Sequence, residues 1–196
     1  MNDTIYREPA ASTMDPVSEC DYQQALDCIS EGDFPKSLEI LDSLAGPSSR
    51  DARIRYARAV AYLSTGEFRK AGTDLVFTVA IDRSFLPAYR HLGFVLLSLG
   101  KEEAAVKALK SAIALEPRFA EAWCVLGDVY LELGEPENAK EALDTALGLE
   151  PDNPEPHCKL AMYYLSRGDM KGLRHEYEVL RDLDHDMAAQ IAELLL

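Results

Sequence analysis

Apolar and polar positions along the chain follow two superposed periods. In short windows the apolar residues fall at i, i+3, i+4 and i+7, which lines one face of an α-helix. Over longer distances that helical pattern itself recurs every 34 residues, marked by glycine at 32, 66, 100, 134 and 168. The repeats span 18–51, 52–85, 86–119, 120–153 and 154–187, each with its glycine at position 15. Positions 4, 7, 8 and 11 share one face of a first helix, which the glycine ends by supplying a permissive turn. A second helix is predicted from about position 17 to position 31, and Pro117 and Pro151 punctuate the exits of two repeats. Ten repeat helices follow, stacked so that each repeat buries the apolar face of its neighbour.

The columns of this pattern carry a packing logic. Position 8 is small throughout (Ala25, Ala59, Gly93, Gly127, Ala161), and position 20 holds Ser37, Ala71, Ala105, Ala139 and Leu173. Position 24 holds Leu41, Leu75, Leu109, Leu143 and Tyr177. Small residues at 8 and 20 let the two helices of a repeat approach, and the larger residue fills the space beside them. At the start of the array, Asp21 and Gln24 take positions that later repeats fill with Tyr89, Leu92, Trp123 and Leu126, as suits a repeat with no earlier neighbour. At its end, Met187, Ile191, Leu194 and Leu195 form one stripe, and 188–196 is expected to be a capping helix. Residues 1–15 carry no period and are expected to be a mobile segment, with Asp15 capping a helix that opens at Pro16.

The fourth repeat, with Trp123, Leu126, Gly127, Tyr130, Ala139, Leu143, Ala146 and Pro151, resembles the tetratricopeptide repeat at nearly every signature position. The third matches almost as well through Tyr89, Leu92, Gly93, Ala105, Leu109, Ala112 and Pro117. The resemblance extends over 18–187 and implies an all-α fold: a right-handed solenoid of five helix-turn-helix repeats with a C-terminal capping helix. In that family positions 2, 5, 9, 12 and 13 look into a concave groove. They lie roughly opposite the 4, 7, 8, 11 face. The partner-binding groove implied here comprises Tyr22, Leu26, Arg53, Tyr56, Val60, Arg90, Phe94, Leu97, Cys124, Asp128 and Met162. Position 12 is apolar in every repeat, and contact with the second helix of the same repeat accounts for it equally well.

Charge refines this expectation. The chain carries 20 Lys and Arg against 34 Asp and Glu, a net −14, which disfavours general nucleic-acid binding. The balance is uneven: −8 over 1–51, +3 over 52–85, +2 over 86–119, −8 over 120–153 and −3 over 154–196. The cationic middle offers Arg53 and Arg90, with His91 alongside, next to Tyr56 and Phe94. The expected ligand is therefore a protein or peptide with apolar or aromatic anchors and an acidic group. The competing account pairs Arg53, Arg55 and Arg58 with acids of the first repeat such as Glu39 and Asp42.

The resulting expectation is a non-enzymatic scaffold or adaptor that holds a peptide or helix of a partner in the groove. An alternative resemblance, carried by Asp51-Ala52-Arg53 at the start of a repeat and by the acidic, compact chain, is to the translocator chaperones of type III secretion, which shelter an apolar cargo segment. The carboxylate clamp of heat-shock co-chaperones, Lys at position 5 and Asn at position 9 of the first repeat with Asn at position 6 of the next, is absent: Tyr22, Leu26 and Ala57 stand there.

No cofactor or metal site is expected. His91, His157, His175 and His185 show no metal-ligand spacing, and the glycines punctuate helices rather than cluster as a phosphate loop. Cys124 and Cys158 share position 5 of adjacent repeats, which leaves a thiol-dependent enzyme as a remote alternative, while Cys28 reads as core. No apolar run is long enough to span a bilayer, and the N-terminal residues lack the basic start and apolar stretch of a signal peptide, so a cytoplasmic location is expected. Self-association is left open.

Overall fold

A computed structural model of the chain describes residues 16–46 and 50–195. Each repeat supplies two helices: α1 (Pro16–Ser30) and α2 (Phe34–Leu44), α3 (Ala52–Ser64) and α4 (Phe68–Ile81), α5 (Leu86–Ser98) and α6 (Glu102–Leu115), α7 (Ala120–Glu132) and α8 (Pro136–Leu149), and α9 (Pro154–Ser166) and α10 (Met170–Leu183). A shorter α11 (His185–Ala192) and a 3-10 turn at Glu193–Leu195 follow. The described residues are all-α, with two helices in each of the five repeats. The chain divides into two compact units within α5, after Val95.

The turn inside each repeat has one construction. Gly32, Gly66, Gly100, Gly134 and Gly168 all adopt φ between 65° and 80°, the left-handed region open to glycine. Each glycine N–H donates to the carbonyl three residues back, as Gly32 does to Ile29 at 3.1 Å. The next N–H reaches five residues back, as Asp33 does to Cys28 at 2.8 Å, so two otherwise orphaned carbonyls are satisfied. Helix starts are capped by short polar side chains where the sequence offers them. Asp33 accepts from the Lys36 N–H, Asp51 from Arg53, Asn153 from Glu155, and Asp169 from Lys171 and Gly172.

The small-residue columns meet as expected. Ala25, Ala59 and Ala161 at position 8, Ser37, Ala71, Ala105 and Ala139 at position 20, and Leu41, Leu75, Leu109 and Leu143 at position 24 are fully buried. In the fourth repeat the approach is close: a Cβ on Gly127 would lie 2.6 Å from Leu143 Cγ. The fifth repeat departs from the pattern. Leu173 at position 20 is buried, Tyr177 at position 24 is half-buried, and the close approach moves to Gly172, where a Cβ would meet the Tyr164 ring at 2.4 Å.

The C-terminal helix begins earlier than the sequence suggests. Only Asp184 separates it from α10, and that carboxylate caps it by accepting from the Asp186 and Met187 N–H groups at 3.0 and 2.9 Å. Starting at 185 rather than 188, the helix buries Ala188 and Ile191 against Ala161, Leu173 and Leu180, with Met187 and Leu195 packed beside them. Leu194 stays exposed. The expectations for residues 1–15, including the cap at Asp15, lie outside the described residues, as does Leu196.

Two repeats exchange apolar packing for charge in the same register. Position 23 holds Ile40, Ala108 and Ala142 in three repeats, but Asp74 in the second and Glu176 in the fifth. Those two repeats also place a basic side chain at position 4, where the third and fourth have Tyr89 and Trp123. Asp74 is 2% exposed and takes Arg58 in a two-point grip, Nε to Oδ2 at 2.7 Å and Nη2 to Oδ1 at 2.8 Å, with Arg55 Nη1 at 3.4 Å. Arg58 Nη1 also donates to Asp42 at 2.8 Å. The hydrogen bonds to Asp74 outweigh burial and raise the Arg58 pKa further. Of the two acids expected to pair with these arginines, Asp42 does so, but the principal partner lies on the second helix of the arginines' own repeat.

In the fifth repeat, His157 Nδ1 lies 2.7 Å from a buried Glu176 carboxylate oxygen, so the histidine reads as packed rather than as a ligand. That hydrogen bond, working against burial, raises the His157 pKa above its ordinary value near 6.5. A raised histidine pKa contributes stability that is complete below the unfolded value and is lost as pH rises through the folded one. The urea midpoint of the wild type should therefore exceed that of His157→Gln most clearly below about pH 6.5, and the gap should shrink at higher pH. A gap independent of pH would show that the pair does not titrate.

Candidate functional site

The expected groove residues sit on the first helices of the repeats, and each unit is considered by itself. In the N-terminal unit Tyr22 and Leu26 lie on α1, Arg53, Tyr56 and Val60 on α3, and Arg90 and Phe94 on α5. All are half-buried except Phe94, which is 46% exposed. Tyr22 meets Arg53, whose guanidinium carbon stands 5.1 Å above the ring centre, and burial pushes the Tyr22 phenol pKa up. Tyr56 joins a second cluster. Its ring centre is 4.8 Å from that of Phe85 and packs edge-on against His91 at 5.5 Å. Phe94 lies 6.2 Å from Phe68 on α4. Aromatic rings thus stand on all three first helices of this unit, and two of them contact Phe68 and Phe85, which position counting on first helices alone misses. Phe85 and Phe119, both at position 34, were the available signal for the second of these.

The cationic centre expected beside these rings is largely compensated. Arg53 Nη2 lies 2.9 Å from Asp51 and 3.2 Å from Glu19, and Nε lies 3.2 Å from Asp51. These carboxylates, Asp51 foremost, raise the Arg53 pKa. The guanidinium also remains stacked on Tyr22, so it presents a ring-backed ion cluster rather than an open cation. His91 is pushed the other way: burial lowers its pKa, and it is neutral near pH 7. Its Nδ1 lies 2.9 Å from the Pro87 carbonyl oxygen and 3.2 Å from the Tyr56 hydroxyl. The carbonyl can only accept, so the Nδ1–H donates to Pro87 and the Tyr56 hydroxyl oxygen lies beside it. Arg90 is half-exposed on α5.

In the C-terminal unit the expected residues differ in exposure. Leu97 is half-buried, and Met162 on α9 is 46% exposed. Asp128 on α7 accepts from Lys159 Nζ at 2.7 Å, an ion pair the position rule did not include because Lys159 stands at position 6. Cys124 is 1% exposed and packs with Leu143, Ala146 and Leu160, so it belongs to the core and is withdrawn from the groove. The physical reason is the small size of cysteine, which lets the flanking helices close over it. Position 12 follows its packing account at both ends of the array: Ile29 and Leu165 sit against the cores of their own repeats.

Nothing in this arrangement favours thiol chemistry. Cys124 is enclosed, and burial pushes the Cys158 thiol pKa up, away from the reactive thiolate. Among the described residues no group of three or more His, Cys, Asp or Glu side chains is placed to hold a metal ion, and no helix is long and apolar enough to cross a membrane.

A helix pair repeated every 34 residues, with small residues where the two helices touch, defines a helical-repeat protein. Residues 96–163 match the family described as Tetratricopeptide repeat. Among solved structures the chain is similar to a thermophilic tetratricopeptide repeat protein of Thermus thermophilus, with 26% identity, 91% of this chain and 98% of that one covered, and a TM-score of 0.77. MamA from Desulfovibrio magneticus RS-1 aligns at 21% identity over 88% of this chain and 98% of its own, with a TM-score of 0.75. YrrB, a tetratricopeptide repeat protein with an unusual peptide-binding site, aligns at 16% identity over 88% and 90%, with a TM-score of 0.66. No curated protein sequence matches. Residues 96–163 carry the tetratricopeptide repeat, and the chain as a whole has the fold of tetratricopeptide repeat proteins.

Proposed function

We propose that this chain is a protein–protein interaction scaffold that holds a peptide or helix of a partner on its first-helix surface, through Tyr22, Leu26, Arg53, Tyr56, Val60, Arg90 and Phe94. The observation that carries this reading is Phe94. It is a phenylalanine left 46% exposed on a first helix, beside Phe68 and on the same helix as His91, which packs edge-on against Tyr56. Exposed aromatic groups held by neighbours already in place bind at low cost in lost side-chain freedom. The expected ligand presents apolar or aromatic anchors and an acidic group, the latter facing the basic residues Arg53 and Arg90 of this surface. Leu97, Asp128 and Met162 are the candidate contacts of the C-terminal unit taken by itself. The repeats assigned to 18–51, 52–85, 86–119, 120–153 and 154–187 form the binding domain, and the helix after them closes its end. Peptide recognition by YrrB, which shares the fold, supports the same use of the scaffold.

The test is recovery of partners on the tagged full chain, quantified against Phe94→Ser and against Tyr56→Ala with Phe94→Ala. Loss of an aromatic anchor of about 2 kcal/mol corresponds to roughly thirtyfold weaker binding. Recovery that is unchanged while the thermal melt is also unchanged removes this site from partner binding.

A further inference from the structure

The outer face of α4 differs from that of every other second helix in the array. Positions 25 and 26 are Asp42 and Ser43 in α2, Lys110 and Ser111 in α6, Asp144 and Thr145 in α8, and Glu178 and Val179 in α10. In α4 they are Val76 and Phe77, which are 52% and 49% exposed, and Ile81 one turn on is exposed as well. These residues are not a misplaced core face. α4 already buries Ala71, Asp74, Leu75 and Thr78 on its other side, so the helix is apolar on two sides and has a partner for only one.

The surroundings of this stripe are basic, in a chain of net −14. Arg69 and Lys70, both exposed and Lys70 paired with Glu67, lie on the same helical stripe about two turns before Val76 and Phe77, and the exposed Arg83 follows just beyond Ile81. The guanidinium carbon of Arg55 stands 4.8 Å over the Phe77 ring. Because Arg55 is itself anchored by the buried Asp74, the Phe77 ring rests on a fixed platform rather than sweeping through solvent.

We infer that this face docks an acidic amphipathic helix of a partner protein. Apolar side chains one turn apart on the ligand cover Val76, Phe77 and Ile81, and its carboxylates reach Arg69 and Lys70 at one end and Arg83 at the other. The stripe runs along a 14-residue helix, a length of about 21 Å, which suits a helix laid alongside rather than a single inserted residue. A second copy of this chain is a poorer occupant. Its most acidic outer face, on α8, offers Glu137, Glu141 and Asp144 but only Thr145 where an apolar anchor is needed. The surface is carried by a second helix, so it is independent of the first-helix site proposed above.

The probe is a fluorescein-labelled helical peptide of about 16 residues built from Glu and Ala with two Leu one turn apart, and a twin with Lys in place of every Glu. Titrated with the full chain, the acidic peptide should bind. Its affinity should drop at least about tenfold in Val76→Ser with Phe77→Ser, in Arg69→Glu with Lys70→Glu, and on raising salt from about 0.05 to about 0.5 M. The Lys twin should not bind, and Tyr56→Ala with Phe94→Ala should bind as the wild type does. Far-UV circular dichroism confirms that the variants are folded; the Arg69 and Lys70 pair provides an answer if the serine pair is not. No binding by the wild type, equal binding by the twin, or loss only with the Phe94 variant would overturn the inference. So would a wild-type dimer in sedimentation that the serine pair dissociates, which makes a second copy the occupant. Tighter peptide binding after removal of residues 1–15 would assign the face to that segment and overturn it likewise.

Discussion

Asp74→Ala should be the most damaging single substitution in the N-terminal unit, lowering stability by about 3 kcal/mol and the melting temperature by on the order of 10 °C. Asp74 is almost wholly enclosed, and Arg58 and Arg55, with side chains 17% and 14% exposed, both turn to it. Without the carboxylate, two guanidinium groups are left in a poorly solvated site, with Asp42 the remaining acid among the described residues that pairs with Arg58. The cost is that of the stranded charges and does not measure the net worth of the ion cluster. Arg55→Tyr, Arg58→Leu and Asp74→Ala together should therefore return stability to the wild-type level or above it. The third repeat already uses this combination, as Tyr89, Leu92 and Ala108. Arg55 Nε, buried without a hydrogen-bond partner, is one liability the triple variant removes. Urea denaturation of the three proteins, wild type, Asp74→Ala and triple variant, decides the matter. A triple variant as unstable as Asp74→Ala would show that the cluster stabilises the fold in its own right.

Gly127→Ala should destabilise the C-terminal unit by about 2 kcal/mol although alanine is the better helix former. The new methyl carbon would meet Leu143 at 2.6 and 2.7 Å and the Ala139 carbonyl oxygen at 3.3 Å. Leu143 is fully buried and has no space into which to retreat. Helix propensity returns at most about 1 kcal/mol, so the steric term wins. Leu143→Ala alone opens a cavity and should cost about 2–5 kcal/mol. The double variant should cost clearly less than the sum, because each change relieves the fault of the other. Additive losses, or a stabilised Gly127→Ala, would show that the two helices can separate here without penalty.

The same column shows how far the sequence could be read. It reports that position 8 is small, and the repeat spacing places that residue against position 24. It does not report that alanine fits beside Leu41 and Leu75 while the fourth repeat tolerates only glycine, because that depends on separations of a few tenths of an ångström between helices. The turns were legible in full: one glycine with φ near 70° per repeat follows from the 34-residue period and from the steric cost of a Cβ in that conformation. The early start of α11 was not, since it rests on Asp184 serving both as the end of α10 and as the cap of the next helix.

The recognition surface was legible in part. Position counting placed Tyr22, Tyr56, Arg90 and Phe94 on first helices, where the structure leaves them half-buried or exposed. It also included Cys124, which the structure encloses, and left open whether Arg53 faces a ligand or pairs with acids of the first repeat, as it does with Glu19 and Asp51. Burial and ion pairing belong to the neighbourhood of a side chain and not to its place in a repeat. Phe68, Phe85 and Lys159 were missed for the complementary reason: they lie outside the inward positions and reach the surface from a second helix, a connecting turn and a neighbouring position.

The sequence by itself determined the class of fold, the number of helices, the turns between them and the residues that close the core, because each of these follows from periodicity and local backbone sterics. Tertiary structure decided which charges are neutralised inside the protein. Asp74 gathers two arginines and Glu176 raises the pKa of His157 across distances of 16 to 19 residues, and Asp51 with Glu19 holds Arg53. Such pairings turn on distances of about 3 Å between side chains remote in the chain, and no repeat period encodes them.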